Sequence, residues 1–281
     1  MRTALQWYAE QGVDICLSDT AINRFSAPPE KEQGSAESSS ITQQALRQIN
    51  AAAEPSYVVM GKSKACSEAI RLAKQAGSLE ELSAIIADFD GIAIKKTAGN
   101  MVFGAGNPKA DIMIIAESPG DDEDRVGAPF AGSAGQLLDK ALSCIGLDRT
   151  QEEPERAVYL TNILNWRPPG NRTSSSAEIE ISLPFIERHI QLVKPKILVL
   201  CGGGAAKALL GKEQSISRLR KIWHDYCLQT KALQEEETAI PALATYHPSD
   251  LLKTPLQKKL FWADLLTLKL RHCTNRKKKE L

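Results

Sequence analysis

The order of hydrophobic and polar positions along the chain predicts strands that alternate with helices. Four apolar runs have the length and the β-branched content of buried strands, and they lie at 111–117, 158–164, 196–202 and 240–247. Helical spacing of apolar residues surrounds them, over 133–145, 176–193, 204–210 and 256–270. Such alternation favours a parallel sheet that is covered on both faces. We therefore predict the α/β class, as a three-layer α/β/α fold with a central four-stranded, mainly parallel sheet.

The composition along the chain divides it into four predicted segments. These are an N-terminal helical extension at 1–25, a disordered linker at 26–75, the α/β domain at 76–272 and a basic tail at 273–281. The linker is predicted because its sequence, rich in Ser, Glu, Gln and Pro, buries too little apolar surface to fold. Within the domain, Ser78 and Glu81 have the spacing of a capped helix start, for a helix over 78–89.

Composition and charge narrow the class of protein. Of the 281 residues 43% are hydrophobic and 25% are charged, which supports one sizeable core with extensions. No apolar run reaches the roughly 20 residues of a membrane helix, and no signal-peptide core is present, so we expect a cytoplasmic protein. The six cysteines are scattered without a C-x-x-C pair, so their spacing predicts neither a disulfide framework nor a metal site.

Polar residues and glycines occur where each predicted strand ends. In chain order they are Glu117, Ser118 and Gly120, then Asn162, then Gly202 to Gly204, and finally His247 and Ser249. Ligands of open α/β sheets bind at this edge, so a carboxylate, an amide and an imidazole here indicate a site. Each residue alone also has a structural explanation, as a strand-end charge, a turn former or a loop histidine.

The glycine run after the third strand resembles a phosphate-binding loop only superficially. The P-loop pattern requires glycine at Ala206 and a hydroxyl at Glu213, so it fails twice. Backbone amides at the helix starts near Ser133 and Gly203 could still hold a phosphate. Close packing of helix on strand is the alternative explanation of these small residues.

Several segments share their order and spacing with a known family. They include ESPGDDEDRVGAPFAGSAGQLLD, VYLTNILNWRPPGNR, LPFIERHIQLVKPKILVLCGGGA and ATYHPSDLLKTPLQKKLFWADLLTLK. These segments resemble the family 4 branch of the uracil-DNA glycosylase superfamily, over about 78–270. The resemblance implies the three-layer fold. It also implies a DNA repair enzyme that removes a flipped-out uracil by hydrolysis of its N-glycosidic bond and leaves an abasic site.

The resemblance assigns roles to residues of the matching motifs. The catalytic residues it implies are Glu117 and Glu123, which would steady the sugar cation and orient water, and His247, which would donate to the uracil oxygen. The substrate-binding residues are Ser118, Gly120, Phe130 stacking on the base and Asn162 reading its edge. The DNA-binding residues are Ser133, Gly203, Ser249 and Leu251, the last as a wedge in the duplex.

Two of these assignments have alternatives, and the acidic cluster needs an explanation. Glu123 would alternatively crowd the C5 position of the base and exclude the methyl group of thymine. Leu251 is alternatively an ordinary core leucine. The acids of 121–124 would face the base and its sugar rather than the DNA phosphates.

The chain departs from the family at four positions. Most family 4 members ligate a 4Fe–4S cluster with four cysteines, and the matching positions here are Phe89, Ile92, Trp166 and Ser182. We therefore expect no iron–sulfur cluster, no other cofactor and no catalytic metal, with the three apolar side chains packed together in a satellite core. The short segment PPGNRTSSSAEIE lacks the histidine with which one relative forms a covalent adduct, so we expect turnover.

The function predicted from the sequence is a monofunctional uracil-DNA glycosylase, nucleoid-associated, acting on single- or double-stranded DNA that contains uracil. Two alternatives stay open: a catalytically weak DNA- or protein-binding module on the same fold, and a glycosylase for hypoxanthine or xanthine. We expect a monomer. The extension before residue 76 either tethers the enzyme to a replication or repair protein or serves as a solubilising arm.

Overall fold

A ladder of four parallel strands forms the middle of the sheet. The computed structural model describes residues 57–234 and 239–277, with side chains from 64 to 274 within those ranges. The strands are β1 (Gly104–Gly106), β2 (Ile112–Ala116), β3 (Val158–Asn162), β4 (Ile197–Cys201), β5 (Trp223–Tyr226) and β6 (Ile240–Thr245). Within the described residues they form one sheet in the order β1-β3-β2-β4-β6-β5. The inner four, β3, β2, β4 and β6, are parallel and confirm the four predicted strands.

The two edge strands were absent from the predicted four-stranded sheet. β1 pairs with β3 and β5 pairs with β6, and both pairings are antiparallel. β1 is a Gly-Ala-Gly stretch and β5 reads Trp-His-Asp-Tyr, so neither contains an apolar run. Short strands at a sheet edge are common, and hydrophobic periodicity alone does not reveal them.

Helices lie on both faces of the sheet. They are α1 (Tyr57–Gln75), α2 (Leu79–Asp88), α3 (Asp121–Val126), α4 (Gly132–Cys144), α5 (Ser176–Val193), α6 (Gly203–Leu210), α7 (Ile216–Leu219), α8 (Pro248–Lys253) and α9 (Lys258–Lys277). Short 3₁₀ turns are present at Ala93–Lys96, Pro169–Asn171, Lys231–Leu233 and Pro255–Gln257. The Ser78 side chain accepts a hydrogen bond from the N–H of Glu81, which confirms the predicted start of α2.

Alternating side chains of each inner strand enter two separate hydrophobic cores, because successive residues of a strand point to opposite faces. In β2, Ile112 and Ile114 pack with residues of α4, α8 and α9. Met113 and Ile115 pack on the other face, with residues of α5 and α6. All four side chains are buried. The arrangement confirms the predicted three-layer α/β/α fold.

The bounds of α5 agree with the prediction of 176–193 because both ends carry local stop signals. At the start, the Ser175 hydroxyl accepts from the N–H of Glu178, and the Glu178 carboxylate accepts from the N–H of Ser175. At the end, Lys194 adopts a left-handed conformation with φ of 53°, which terminates the helix.

A third group of buried residues, the satellite core, lies where α1 and α2 pack against α5. It includes Phe89, Ile92 and Trp166, which confirms the prediction that these three side chains pack together. The rings of Phe89 and Phe185 meet edge to face, with centroids 5.2 Å apart. Such aromatic pairs add stability beyond the area they bury.

The disordered linker predicted at 26–75 is wrong for its last part, which is the helix α1. Ala69 and Ala73 of α1 are fully buried in the satellite core. They lie one helical turn apart, and their small side chains let α1 approach α5 closely. The Ser- and Gln-rich text before α1 dominated the average composition and hid this periodicity. The remainder, 26–56, and the helical extension predicted at 1–25 lie outside the described residues.

The predicted basic tail at 273–281 is also partly wrong, since α9 continues to Lys277. The last four residues lie outside the described part of the chain. Among the residues that the structure describes, no helix combines the length and the apolar content needed to cross a bilayer.

We expect Phe89→Ala to lower the free energy of unfolding by about 3–5 kcal/mol, the usual cost of removing a packed aromatic ring. Phe89 is 6% exposed, and its ring contacts Phe185. Urea unfolding followed by circular dichroism measures the loss. Leu270→Ala, at a side chain that is 71% exposed, is the control and should change stability by less than about 0.5 kcal/mol. Equal effects of the two variants would contradict a supporting role of the satellite core.

Candidate active site

A cavity of about 560 Å³ lies at the carboxyl ends of the inner strands. Of the eleven residues predicted for the site, ten line this cavity: Glu117, Ser118, Gly120, Glu123, Phe130, Ser133, Asn162, Gly203, His247 and Ser249. The ends of parallel strands meet at one edge of a sheet, which is why residues from four separate segments converge here. The structure thus brings the carboxylates, the amide and the imidazole to one place.

Asn162 is the last residue of β3 and is 3% exposed. Its side-chain nitrogen Nδ2 is buried and has no hydrogen-bond partner among the described residues. Leaving a buried donor unpaired costs about 1–3 kcal/mol, so such a group in a cavity wall points to a ligand. Its partner in the sheet is Ala116, which directly precedes Glu117.

His247 is the N-cap residue of α8, and this position fixes its tautomer. The backbone N–H of Ser249 donates to His247 Nδ1 at 3.2 Å, and the Ser249 hydroxyl lies 2.7 Å from the same atom. Nδ1 is therefore an acceptor, and the ring proton sits on Nε2. Burial lowers the pKa of His247 to about 4, with a smaller opposing effect from Asp250. The imidazole is neutral at pH 7 and still offers one N–H donor.

Phe130 stacks on His247 with ring centroids 5.6 Å apart and planes inclined by 22°. Its backbone is left-handed, with φ of 52°, a conformation that non-glycine residues rarely adopt. Arg149 holds this conformation by donating to the Phe130 carbonyl at 3.2 Å. Gly135 of α4 lies so close that a Cβ there would overlap the same carbonyl oxygen. The aromatic wall of the cavity is thus set by the backbone around it.

The two predicted glutamates are held by backbone N–H groups. The N–H of Ser174 donates to Glu117 Oε1 at 3.2 Å, and the N–H of Gly120 donates to Glu123 Oε2 at 3.0 Å. Burial raises the pKa of Glu123 above its usual value, against the lowering effect of its backbone hydrogen bonds. Both carboxylates line the cavity.

Contrary to expectation, the other acidic residues of α3 do not all line the cavity. Asp121 forms an ion pair with Arg167 at 2.6 Å. Asp124 accepts hydrogen bonds from the backbone N–H groups of Gly99 and Asn100, each at 2.9 Å. These contacts tie α3 to two neighbouring loops. The expectation that the whole cluster faces a base and its sugar is therefore wrong for Asp124, which does not line the cavity.

A buried ion pair lies beneath the strand that leads to His247. Arg220 donates to both oxygens of Asp264, at 3.0 and 2.7 Å, and the Thr245 hydroxyl donates to Asp264 Oδ2 at 2.7 Å. The bidentate geometry and the third hydrogen bond leave the carboxylate well satisfied. They also fasten the end of β6 to α9.

The predicted wedge Leu251 is the one site residue that the structure places elsewhere. Its side chain is 0% exposed and belongs to the core beneath α8, so it is not available to DNA. The next residue, Leu252, is 43% exposed and lines the cavity. α8 begins at Pro248, and one residue of helix turns a side chain by 100° from the core toward the surface. Sequence spacing from His247 did not resolve this difference.

The four positions matched to the cluster cysteines are buried and carry no thiolate. Phe89, Ile92 and Trp166 belong to the satellite core, and Ser182 is 2% exposed. Across the described ranges, no group of three or more His, Cys, Asp or Glu residues is placed to hold a metal ion. Because iron–sulfur clusters are held by thiolates, the side chains at these positions do not fit one.

Comparison with known proteins identifies the family of this chain. The protein-family model described as uracil DNA glycosylase superfamily matches residues 103–266. The chain is 35% identical over 189 residues to the type-4 uracil-DNA glycosylase of Pyrobaculum aerophilum, covering 66% of this chain and 91% of that protein. The chain is 35% identical to the type-4 uracil-DNA glycosylase of Sulfurisphaera tokodaii, covering 59% of this chain and 71% of that protein. It is 33% identical to that of Archaeoglobus fulgidus, covering 61% of this chain and 81% of that protein. The chain belongs to the uracil DNA glycosylase superfamily.

Proposed function

We propose that this protein is a uracil-DNA glycosylase that hydrolyses the N-glycosidic bond of a flipped-out deoxyuridine and leaves an abasic site. The observation that carries the proposal is the buried, unpaired Nδ2 of Asn162 in the wall of a cavity that also holds His247. Membership of the superfamily and the names of the type-4 relatives support the same conclusion.

Asn162 recognises the base. A side-chain amide offers one donor and one acceptor, which match the O4 and N3–H edge of uracil. Cytosine presents the reversed pattern and would leave both groups of Asn162 unpaired, which is where a site discriminates most strongly. Phe130 stacks on the ring of the base, and the loop of Ser118 and Gly120 closes around it.

His247 stabilises the departing base. Cleavage places negative charge on uracil, and the N–H of a neutral imidazole donates to the uracil oxygen where that charge develops. A neutral donor fits because burial keeps the pKa of His247 at about 4 and Ser249 holds the proton on Nε2.

Glu117 and Glu123 act on the sugar side. Loss of the base leaves positive charge on deoxyribose, which a nearby carboxylate stabilises while it orients the attacking water. Glu117 serves this role, and Glu123 shapes the loop through its bond to Gly120. Since water is the nucleophile, the enzyme is monofunctional and the abasic strand stays intact.

The cavity rim holds the DNA. Ser133 and Gly203 lie at the starts of α4 and α6, where backbone N–H groups suit phosphates. Ser249 lies on the same rim. Leu252, exposed at the cavity, takes the wedge role in place of Leu251 and fills the gap that the flipped nucleotide leaves. No iron–sulfur cluster takes part, because the satellite core fills its position.

Incubation with an oligonucleotide containing one uracil tests the function. We expect alkali-dependent strand cleavage at uracil, with intact strands before alkali, and no cleavage of matched cytosine or thymine strands. Hypoxanthine and xanthine strands identify a broader glycosylase. Binding of uracil DNA without base release would contradict the proposed enzyme and indicate a binding module.

Asn162→Ala and His247→Ala should each lower the rate of base release by roughly 10²-fold or more, the scale of losing one transition-state donor. Matched controls are Asn107→Ala and His272→Ala. Both side chains bond to backbone carbonyls of 151–155, at the opposite edge of the sheet. The controls should retain the rate of the unaltered protein. Equal rates in all four variants would overturn the site assignment.

His247 should titrate at about pH 4 rather than near its ordinary value of 6.5. Burial disfavours the charged ring, so the neutral Nε2–H form should persist as the pH falls from 8 to 5. Nitrogen-15 NMR of histidine-labelled protein measures the titration and the tautomer, and His247→Gln assigns the signal. A midpoint of 6 or above would contradict the lowered pKa, and a proton on Nδ1 would rule out Nε2–H as the donor.

Protein purified without oxygen should contain no stoichiometric iron or acid-labile sulfide, because Phe89, Ile92, Trp166 and Ser182 supply no thiolate at the matched positions. Elemental analysis and the visible absorption spectrum measure this directly. A purified relative that binds a cluster, handled in parallel, controls for loss during purification. Stoichiometric iron with sulfide in this protein would refute the proposal.

A further inference from the structure

The Glu117 carboxylate is held between two distant parts of the chain. On one side, the backbone N–H of Ser174, in the loop before α5, donates to Oε1 at 3.2 Å. On the other side the carboxylate lies against Gly204, in the first turn of α6. A Cβ built on Gly204 would overlap Glu117 Oε2 and crowd its Cδ. One oxygen is thus fixed by a hydrogen bond and the other by contact with a residue that has no side chain.

The backbone does not explain why residue 204 is glycine. Gly202 and Gly211, at the two ends of α6, have φ of 94° and 62° and need glycine for that reason. Gly204 is not among the positive-φ residues of the described chain. Inside a helix, glycine is less favourable than alanine, which occupies the next two positions. Space for a neighbour is the remaining reason for glycine at this position.

The adjacent glycine shows that this requirement is local. A Cβ on Gly203 would have Ile216 Cβ as its nearest neighbour, at 3.9 Å, which is ordinary contact. The equivalent atom on Gly204 collides with Glu117. Of the two glycines that open α6, Gly204 alone has no room for a side chain.

We propose that Gly204 and the backbone N–H of Ser174 are positioning residues that fix the carboxylate plane of Glu117 at the cavity. This inference rests on the proposed function, in which Glu117 orients the attacking water. Ser174 N–H bonds to one oxygen and Gly204 lies against the other, so a rotation of the carboxylate would break the hydrogen bond or press an oxygen into α6. Small errors in the position of a reacting group cost much of the rate.

Gly204→Ala tests the proposal, because the new methyl group takes the place of the carboxylate while favouring the helix. We expect the turnover rate on uracil DNA to fall roughly 10²-fold, with KM unchanged, since a misplaced reacting group affects the transition state. The matched control is Lys207→Ala in the same helix, where the side chain is 43% exposed. It should leave turnover unchanged, and thermal denaturation of both variants should show a folded protein.

A double-mutant cycle with Glu117→Asp separates positioning from a general structural effect. Aspartate is one methylene shorter, so it leaves room for the methyl group of Gly204→Ala. In the Glu117→Asp background, Gly204→Ala should therefore cost far less than it does alone, as expected for coupled residues. Losses that multiply, or a Gly204→Ala variant with the turnover of the unaltered protein, would overturn the proposal.

A crystal structure of Gly204→Ala keeps the inference separate from the proposed function. If the unaltered protein releases no uracil, the proposed function fails while the placement of Glu117 is still measurable. We expect the variant to lose the hydrogen bond from the Ser174 N–H to Glu117 Oε1. Retention of that bond in the variant would refute the positioning role, whatever the activity.

Discussion

The register of four parallel strands determines where every reactive group of this protein lies. The parallel ladder pairs Ala116 with Asn162, so Glu117 follows directly beside Asn162. The pairing of Cys201 with Thr245 likewise brings the glycine run of α6 next to His247. A slip of one residue in either pairing would reverse which side chains face the core, and the packing on both faces forbids it. The buried hydrophobic layers thus hold these polar groups around one cavity.

Several residues of the cavity are in energetically unfavourable states. Asn162 Nδ2 lacks a partner among the described residues, Phe130 has an uncommon backbone conformation, and burial raises the pKa of Glu123. These three features all lie at the cavity, where the surrounding structure holds them in place. An example is Arg149, which donates to the Phe130 carbonyl. Functional sites commonly concentrate such features, and the rest of the fold supplies the stability that sustains them.

The fold was largely predictable from the sequence because its central elements carry strong local signals. Continuous apolar runs marked the inner strands, and the capping residues Ser78 and Glu81 marked the start of α2. Weak local signals explain the errors: β1 has three small residues, and the Ser- and Gln-rich sequence before α1 hid the periodicity of that helix. Strand ends also predicted where the site residues gather. The sequence did not predict which way a helical side chain points, as the buried Leu251 shows. It also did not predict contacts between distant segments, such as that of Gly204 with Glu117.

The satellite core has a consequence for how the enzyme matures. Phe89, Ile92 and Trp166, the residues that the resemblance matches to cluster cysteines, pack together in the satellite core. With no cluster bound, as proposed, folding alone completes the satellite core. The cell then needs no machinery to assemble and deliver an iron–sulfur cluster to this protein. Oxidants that dismantle iron–sulfur centres would then have no cluster to destroy. The protein would stay folded under the same oxidative conditions that damage DNA bases.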